Sequence, residues 1–305
     1  LEEIRRYNDE QQLHPLYRYA FITDAEDGFI LVDVDTLTDA NPENNRLRRA
    51  VTFNPNGKLA GARMVKNLGH YAYVVSEKNG LSVVDLDQPT APRLVYQSAP
   101  GELDGAHAIE LQFRYAFVLD REGLKVFDVT DKEHPALVPG AKVAIEDARG
   151  LCVSRTYAYI AAGKQGLVVV DVGRPEHPTR LEYNRADAPL DDAYDVSVAA
   201  TNASFFAYVA DGKNGLRVVR LVEAGETPGH QGFSPRPAPK LIATYPTSGV
   251  AVAVNRGQVR DRFEDESGGQ MVVSNRIGAR TFNLEEIRRF MFYPNGQILR
   301  VTDDA

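Results

Sequence analysis

The residues best placed to do chemistry recur just before one strand of a repeated unit. Aligning Gly61-Ala62-Arg63, Gly105-Ala106-His107, Asp147-Ala148-Arg149, Asp192-Ala193-Tyr194 and Ser248-Gly249-Val250 puts Arg63, His107, Arg149 and Tyr194 at one equivalent position. Immediately upstream lie Asp104, Glu146, Asp147, Asp191 and Asp192. Cations and carboxylates crowded at one entrance allow two chemistries. Arg63, Arg149, His107 and Tyr194 could clamp an anionic or carboxylate-bearing ligand. Alternatively, the carboxylates with His107 could hold a divalent metal, as a metal-assisted hydrolase needs. The plainer alternative is that Arg and Asp neutralise one another around a water-filled pore.

Elsewhere the sequence is sparing with reactive groups. It has no His-Glu-x-x-His pair, Gly-x-Ser-x-Gly elbow, phosphate-binding Gly-rich loop or dinucleotide fingerprint. His14, His134 and His177 each precede a proline, and His230 lies in a Gly/Pro-rich stretch, so the histidines do not cluster. Asp33-x-Asp35-x-x-x-Asp39 lacks the turn glycine and distal glutamate of a calcium loop. The single cysteine, Cys152, excludes an internal disulfide, a Cys-based metal site and C-x-x-C-H haem attachment. In Gly150-Leu151-Cys152-Val153 it reads as a buried, inert thiol. No catalytic residue, metal or cofactor is therefore expected.

Composition narrows the partners. The chain has 305 residues, 43 % hydrophobic and 25 % charged, which is that of a folded protein. A net charge of −7 offers no broad cationic surface for nucleic-acid phosphates or anionic lipids. No apolar run approaches the roughly 18–20 residues that span a bilayer. Leu1 in place of a methionine predicts a longer or processed precursor.

The elements that position the candidate residues come from a repeat. An aromatic-Ala-aromatic strand, a polar turn ending in glycine and an apolar strand ending in aspartate recur from Tyr17, His70, Arg114, Thr156 and Phe206, with a degraded sixth copy from Gln270. The turn glycines Gly28, Gly80, Gly123, Gly166, Gly215 and Gly278 are 52, 43, 43, 49 and 63 residues apart. A basal unit of that length holds four short antiparallel strands, and the pattern predicts an all-β, six-bladed β-propeller. A lead-in over 1–16 precedes a propeller over 17–305, with blades near 17–54, 59–97, 105–145, 148–184, 193–245 and 249–294. The stretch Leu47 to Leu59 is echoed by Ile287 to Leu299, each with a Pro-Asn-Gly turn. The first turn should lead into the innermost strand of blade 2, so 297–302 should supply the missing innermost strand of blade 1 and close the ring. The pairs Tyr71/Tyr73, Tyr115/Phe117, Tyr157/Tyr159 and Phe206/Tyr208 are expected between blades. Asp33, Asp85, Asp128 and Asp171 are expected to hydrogen-bond the turn that follows them.

The phrases Gly-Leu-Ser-Val-Val-Asp from Gly80, Gly-Leu-Lys-Val-Phe-Asp from Gly123 and Gly-Leu-Val-Val-Val-Asp from Gly166 each follow Tyr-Ala-aromatic. With that context they resemble the LVIVD repeat, a propeller-forming unit, over roughly residues 17 to 284. Blade 5 departs with Arg220, and blade 6 with Asn283, where the terminal aspartate belongs. The resemblance implies an exported, surface-attached or multi-domain setting and a binding or scaffolding role, with no catalytic motif to carry over. The expected function is a non-catalytic protein-interaction or scaffold domain of a larger, extracytoplasmic protein or complex. Its partners would be other proteins or other domains of the same precursor. The alternatives are a metal-dependent hydrolase at the channel mouth, or a structural partner in a multihaem electron-transfer assembly. Insertions at Thr36 to Arg49, Glu223 to Pro239 and Arg256 to Gly269 are further docking candidates, the second read as an irregular, mobile arm.

Overall fold

The computed structural model describes residues 15–35, 44–201, 204–255, 263–264, 270–271, 276–277, 280–281 and 292–297. Its architecture is a succession of antiparallel sheets, each built from strands consecutive in sequence. Blade 1 holds β1 (Tyr19–Asp24), β2 (Gly28–Asp33) and β3 (Arg48–Phe53). Blade 2 holds β4 (Ala62–Leu68), β5 (Tyr71–Ser76), β6 (Gly80–Asp85) and β7 (Arg93–Gln97). Blade 3 holds β8 (Ala108–Gln112), β9 (Tyr115–Asp120), β10 (Gly123–Asp128) and β11 (Ala136–Ala144). Blade 4 holds β12 (Gly150–Ser154), β13 (Tyr157–Ala161), β14 (Leu167–Asp171) and β15 (Thr179–Arg180). Blade 5 holds β16 (Asp195–Thr201), β17 (Ser204–Ala210), β18 (Leu216–Val222) and β19 (Lys240–Tyr245). Beyond it lie two small pairs, β20 (Phe263–Glu264) with β21 (Gln270–Met271), and β22 (Arg276–Ile277) with β23 (Arg280–Thr281). Among the described residues no helix is long and apolar enough to cross a membrane.

Local chemistry explains the hairpins. Gly80 adopts φ +70°, and a Cβ there would fall 2.3 Å from the Ser98 hydroxyl, so both conformation and space demand glycine. In blades 1 to 4 the third strand ends in the expected aspartate, whose Oδ1 accepts a backbone N–H two residues on. Asp33 takes Asp35, Asp85 takes Asp87, Asp128 takes Thr130 and Asp171 takes Gly173, at 2.7–2.9 Å. Burial alone would raise Asp85, but the Asp87 N–H and the Arg93 guanidinium outweigh it and hold the carboxyl below its ordinary range. In blades 1, 2, 3 and 5 a register shift interrupts the pairing of the last two strands, at Leu31/Val32, Val83/Val84, Lys125/Phe127 and Val218/Val219.

Stability comes from blade-on-blade packing. The aromatic face of each blade meets the Ala/Val/Ile face of the next, giving four apolar layers. Tyr73, Val75 and Leu81 of blade 2 pack with Ile109, Ala116 and Val118 of blade 3. Tyr115, Phe117 and Leu124 of blade 3 then pack with Leu151, Ala158 and Ile160 of blade 4, and Tyr157 and Tyr159 of blade 4 with Val196, Ala207 and Val209 of blade 5. The phenols find partners in the next blade's connection: Tyr71 donates to Glu133, Tyr73 to the Lys132 carbonyl and Tyr115 to Glu176. Burial, then the Glu133 carboxylate, pushes Tyr71 up to about 12. The fourth predicted pair differs, because Phe206 and Tyr208 are only half-buried. Their face looks away from blade 4, on the side of blade 5 where Tyr245 and Val218 also lie.

The expected first-strand slot of blade 1 is identifiable. Val34 N–H donates to the Arg18 carbonyl just as Leu86 does to His70, Val129 to Arg114 and Val172 to Thr156. β1 is therefore a second strand, and the described residues give blade 1 three strands rather than four. They show five sheets with two short pairs, not the complete six-by-four ring that the repeat predicts. The closing segment 297–302 lies, beyond Gln297, outside the described residues, as does most of the sixth copy. The Pro-Asn-Gly turn at Pro55–Gly57 does lead into β4, the innermost strand of blade 2.

Truncating Tyr73 to Ala is expected to cost about 3–5 kcal/mol, the range for emptying a fully buried aromatic site. Tyr73→Phe, which keeps the ring and loses the Lys132 bond, should cost about 1 kcal/mol. Urea titration of both variants checks the ratio.

Candidate functional site

The candidate residues sit on lead-in segments that enter the innermost strands, except Arg63, which is the second residue of β4. Opposite each lead-in stands the hairpin joining the second and third strands, and the two are tied together. Gly163 and Ala193 exchange N–H···O bonds of 2.9 and 3.0 Å between blades 4 and 5, and Gly212 and Ala251 do the same at 3.1 and 2.9 Å. Within blades 3 and 5 a buried hairpin aspartate takes the lead-in N–H: Asp120 from Asp104 and Asp211 from Asp192. Each of these acids also has a cation, Lys125 at 2.7 Å and Arg217 at 3.2 Å.

The tightest constellation joins blades 4 and 5. Arg149 forks onto Asp147, with Nε to Oδ1 at 2.8 Å and Nη2 to Oδ2 at 2.7 Å, while its Nη1 reaches Asp192 at 3.2 Å. The same guanidinium lies 4.2 Å from the Tyr194 ring centroid. Hydrogen bonding to Asp147 raises the pKa of this already permanent cation further. The predicted Arg149, Asp147, Asp192 and Tyr194 are thus brought together.

The other three predicted residues are engaged separately. His107 Nδ1 lies 2.9 Å from the Gly105 carbonyl and Nε2 2.8 Å from the Ala148 carbonyl, strapping blade 3 to blade 4. A carbonyl only accepts, so the tautomer sets which ring nitrogen donates. Arg63 pairs with Glu77 at 2.6 Å, and Asp104 with Arg121 at 2.8 Å. Cys152 is partly buried and packs against the blade 4–5 layer. Among the described residues no group of three or more His, Cys, Asp or Glu is arranged to hold a metal.

Glu77 and Arg121 were not among the predicted site residues, yet a signal for them exists in the repeat. They occupy the hairpin slot filled by Gly163 and Gly212 in blades 4 and 5. Where the hairpin slot is large, the lead-in is Gly61 or Gly105; where the hairpin is glycine, the lead-in is Asp147 or Asp192. Space enforces the exchange. A Cβ on Gly105 would lie 3.0 Å from Arg121, one on Gly163 only 1.9 Å from Asp147 Oδ2, and one on Gly212 2.1 Å from Asp192 Oδ2. Asp147 itself takes φ +53°, the left-handed conformation that its glycine counterparts adopt freely.

The insertion Glu223 to Pro239 is irregular, and it is tied to blade 4 at Phe233 and Ser234. Arg155 stacks on Phe205, with its guanidinium carbon 3.9 Å from the ring centroid, and donates to the Phe233 carbonyl. Thr156 and Ser234 share a hydroxyl hydrogen bond of 2.5 Å. The arm is thereby laid across to blade 4, with the Phe233 ring facing solvent at 73 % exposure.

Known proteins are similar at the level of repeat and fold. A family model described as the LVIVD repeat matches four times, at residues 61–98, 106–140, 146–183 and 192–219, which are blades 2 to 5. No curated protein matches. A solved structure from Bacteroides uniformis, provisionally named a 6-phosphogluconolactonase, is 15 % identical over 75 % of this chain and 68 % of that one, with a TM-score of 0.50. The β-propeller domain of Cps50 (Swd1) from Myceliophteria thermophila is 14 % identical over 64 % of each chain, at 0.47. The N-terminal domain of Nup159 is 9 % identical over 74 % of this chain and 59 % of that one, at 0.46. The chain spans less than two thirds of the length of these last two, and at such identities the likeness concerns the fold alone.

The exchange between lead-in and hairpin predicts a compensating pair. Gly163→Ala should destabilise by about 2 kcal/mol or more, from its steric clash and its positive φ. Adding Asp147→Ala should recover part of that loss. A double-mutant cycle read by urea denaturation checks the coupling.

Proposed function

We propose, for a chain that belongs to the LVIVD-repeat family, that it serves as a non-catalytic interaction or scaffold propeller of a larger extracytoplasmic protein or complex. The observation that carries this reading is how the entrance charges are used. Arg149 is spent on Asp147 and Asp192, Arg63 on Glu77, Asp104 on Arg121, and His107 on two carbonyls. Groups held in this way fasten lead-in to hairpin within a blade or one blade to the next, whereas a hydrolase needs a base or metal ligand free to meet substrate. Partner contact is assigned to the pinned insertion, which departs from the repeat and turns the aromatic Phe233 outward; exposed aromatic anchors are typical of interface centres.

The expected test is gentle purification from the source, with mass spectrometry and elemental analysis of what stays bound. A stoichiometric partner or attached domain is expected, and Phe233→Ser should release it without unfolding the chain. A lone monomer carrying an equivalent of metal, with hydrolytic activity lost in Asp147→Ala or His107→Ala, would overturn the reading.

We further propose that the scaffold is a closed six-bladed ring, with 249–294 as the last blade and 297–302 as the innermost strand of blade 1. Two open faces support this. Blade 5 leaves Phe206 and Tyr208 half-buried, while blade 1 leaves Ala20 and Ile22 exposed on the face whose counterparts, Ala72 and Val74 of blade 2, are fully buried. The first residues of the next copy already lie against blade 5, where Val254 N–H donates to the partly buried Asp195 at 2.9 Å. If a blade covers Ile22, Ile22→Asp should cost more than about 2 kcal/mol, against at most about 0.5 kcal/mol for an open surface position. A neutral result in urea titration would sink the closed ring.

A further inference from the structure

Blade 5 sets two cations opposite one another at one corner, and that corner opens onto a cleft. Where the third strand ends, blades 1 to 4 carry an aspartate, opposite Arg48 in blade 1, Arg93 in blade 2, Ala136 in blade 3 and Thr179 in blade 4. In blade 5 the same two positions are Arg220 and Lys240. Like charges placed directly opposite are destabilising unless an anion lies between or beside them. The inserted arm supplies two carboxylates. Glu223 is in ion-pair contact with the Arg220 guanidinium, and Glu226 reaches it at only 3.5 Å while its own side chain is 72 % exposed. The two acids crowd one another, because the neighbouring Glu226 side chain, and then burial, hold Glu223 above its ordinary range.

The cleft measures about 320 Å³, enough for one small organic molecule. Its bases are Arg220 and Lys240, on adjoining strand ends of blade 5. Its third acid, Asp187, stands on the blade 4 side, in the short 3-10 turn Arg185–Asp187. Tyr183, Leu221, Pro228 and Pro239 provide apolar wall. The Tyr183 hydroxyl is spent on the Leu167 carbonyl, which leaves the ring as packing surface. A simple anion would meet Asp187 and the arm's glutamates, and a simple amine would add to two cations already opposed. A molecule bearing both charges satisfies both sets.

We propose that this cleft binds a free α-amino acid with an apolar side chain, its carboxylate toward Lys240 and its ammonium toward Asp187. The site is independent of the scaffold reading, since it uses neither the entrance residues nor Phe233.

The test is calorimetric titration of the full chain with phenylalanine, and with two analogues that each lack one charge: phenethylamine and 3-phenylpropionate. Phenylalanine is expected to bind at sub-millimolar concentration, and each analogue at least about tenfold more weakly, as when a site's polar group is left unpaired. Lys240→Met, at an exposed strand position, should abolish the preference over phenethylamine; Asp187→Asn should abolish the preference over 3-phenylpropionate. Circular dichroism checks that both variants stay folded. An analogue binding as well as phenylalanine, preferences unchanged in both variants, or no heat from any of the three compounds would each overturn the proposal.

Discussion

The constraint on which the structure depends is that no blade can bury both of its faces alone. A four-stranded sheet has two apolar surfaces, and among the described residues no α-helix covers them. The repeat solves this by making the faces unlike. One is rich in aromatic rings, the other in Ala, Val and Ile, so that the larger side chains of one blade meet the smaller ones of the next. The phenols then reach past the layer into the next blade's connection, adding direction to what packing alone would leave sliding.

The entrance follows from the same geometry on a smaller scale. Lead-in and hairpin approach so closely that one of the two must be glycine at the contact, as Gly163 against Asp147 and Gly105 against Arg121 demonstrate. Whichever side carries the side chain, an opposite charge is found for it nearby. The ring of charged residues is thus a set of fasteners between and within blades. This explains why residues that look like a site in the sequence can be fully occupied in the fold.

Much of this was legible in the chain itself. The spacing of the turn glycines located the hairpins, the alternating tyrosines named the interblade faces, and the recurring aspartates named the turns they cap. Three things were not. The partners Glu77 and Arg121 lie outside the aligned lead-in motif, and their link to it is steric, visible only when hairpin and lead-in are compared as a pair. The pinning of the insertion depends on Arg155 sitting between Phe205 and Phe233, residues from three separate segments with no common pattern. The cleft beside Arg220 needed the cross-strand register, because the sequence shows a lost aspartate but not that a lysine stands opposite.

The register shifts in the outer strand pairs carry a consequence for the molecule in a crowded solution. An outermost strand with regular pairing and a straight edge is a template on which another chain can add by backbone hydrogen bonding. Here one residue is out of step near the end of the outer pair in four blades, and in blade 4 the outer strand is cut to Thr179–Arg180. A bulge twists the edge of the first four, and the two-residue strand of blade 4 is too short to be copied. The rim that every propeller-like array must leave open is therefore a poor seed for aggregation, and association is channelled to side chains rather than to bare backbone.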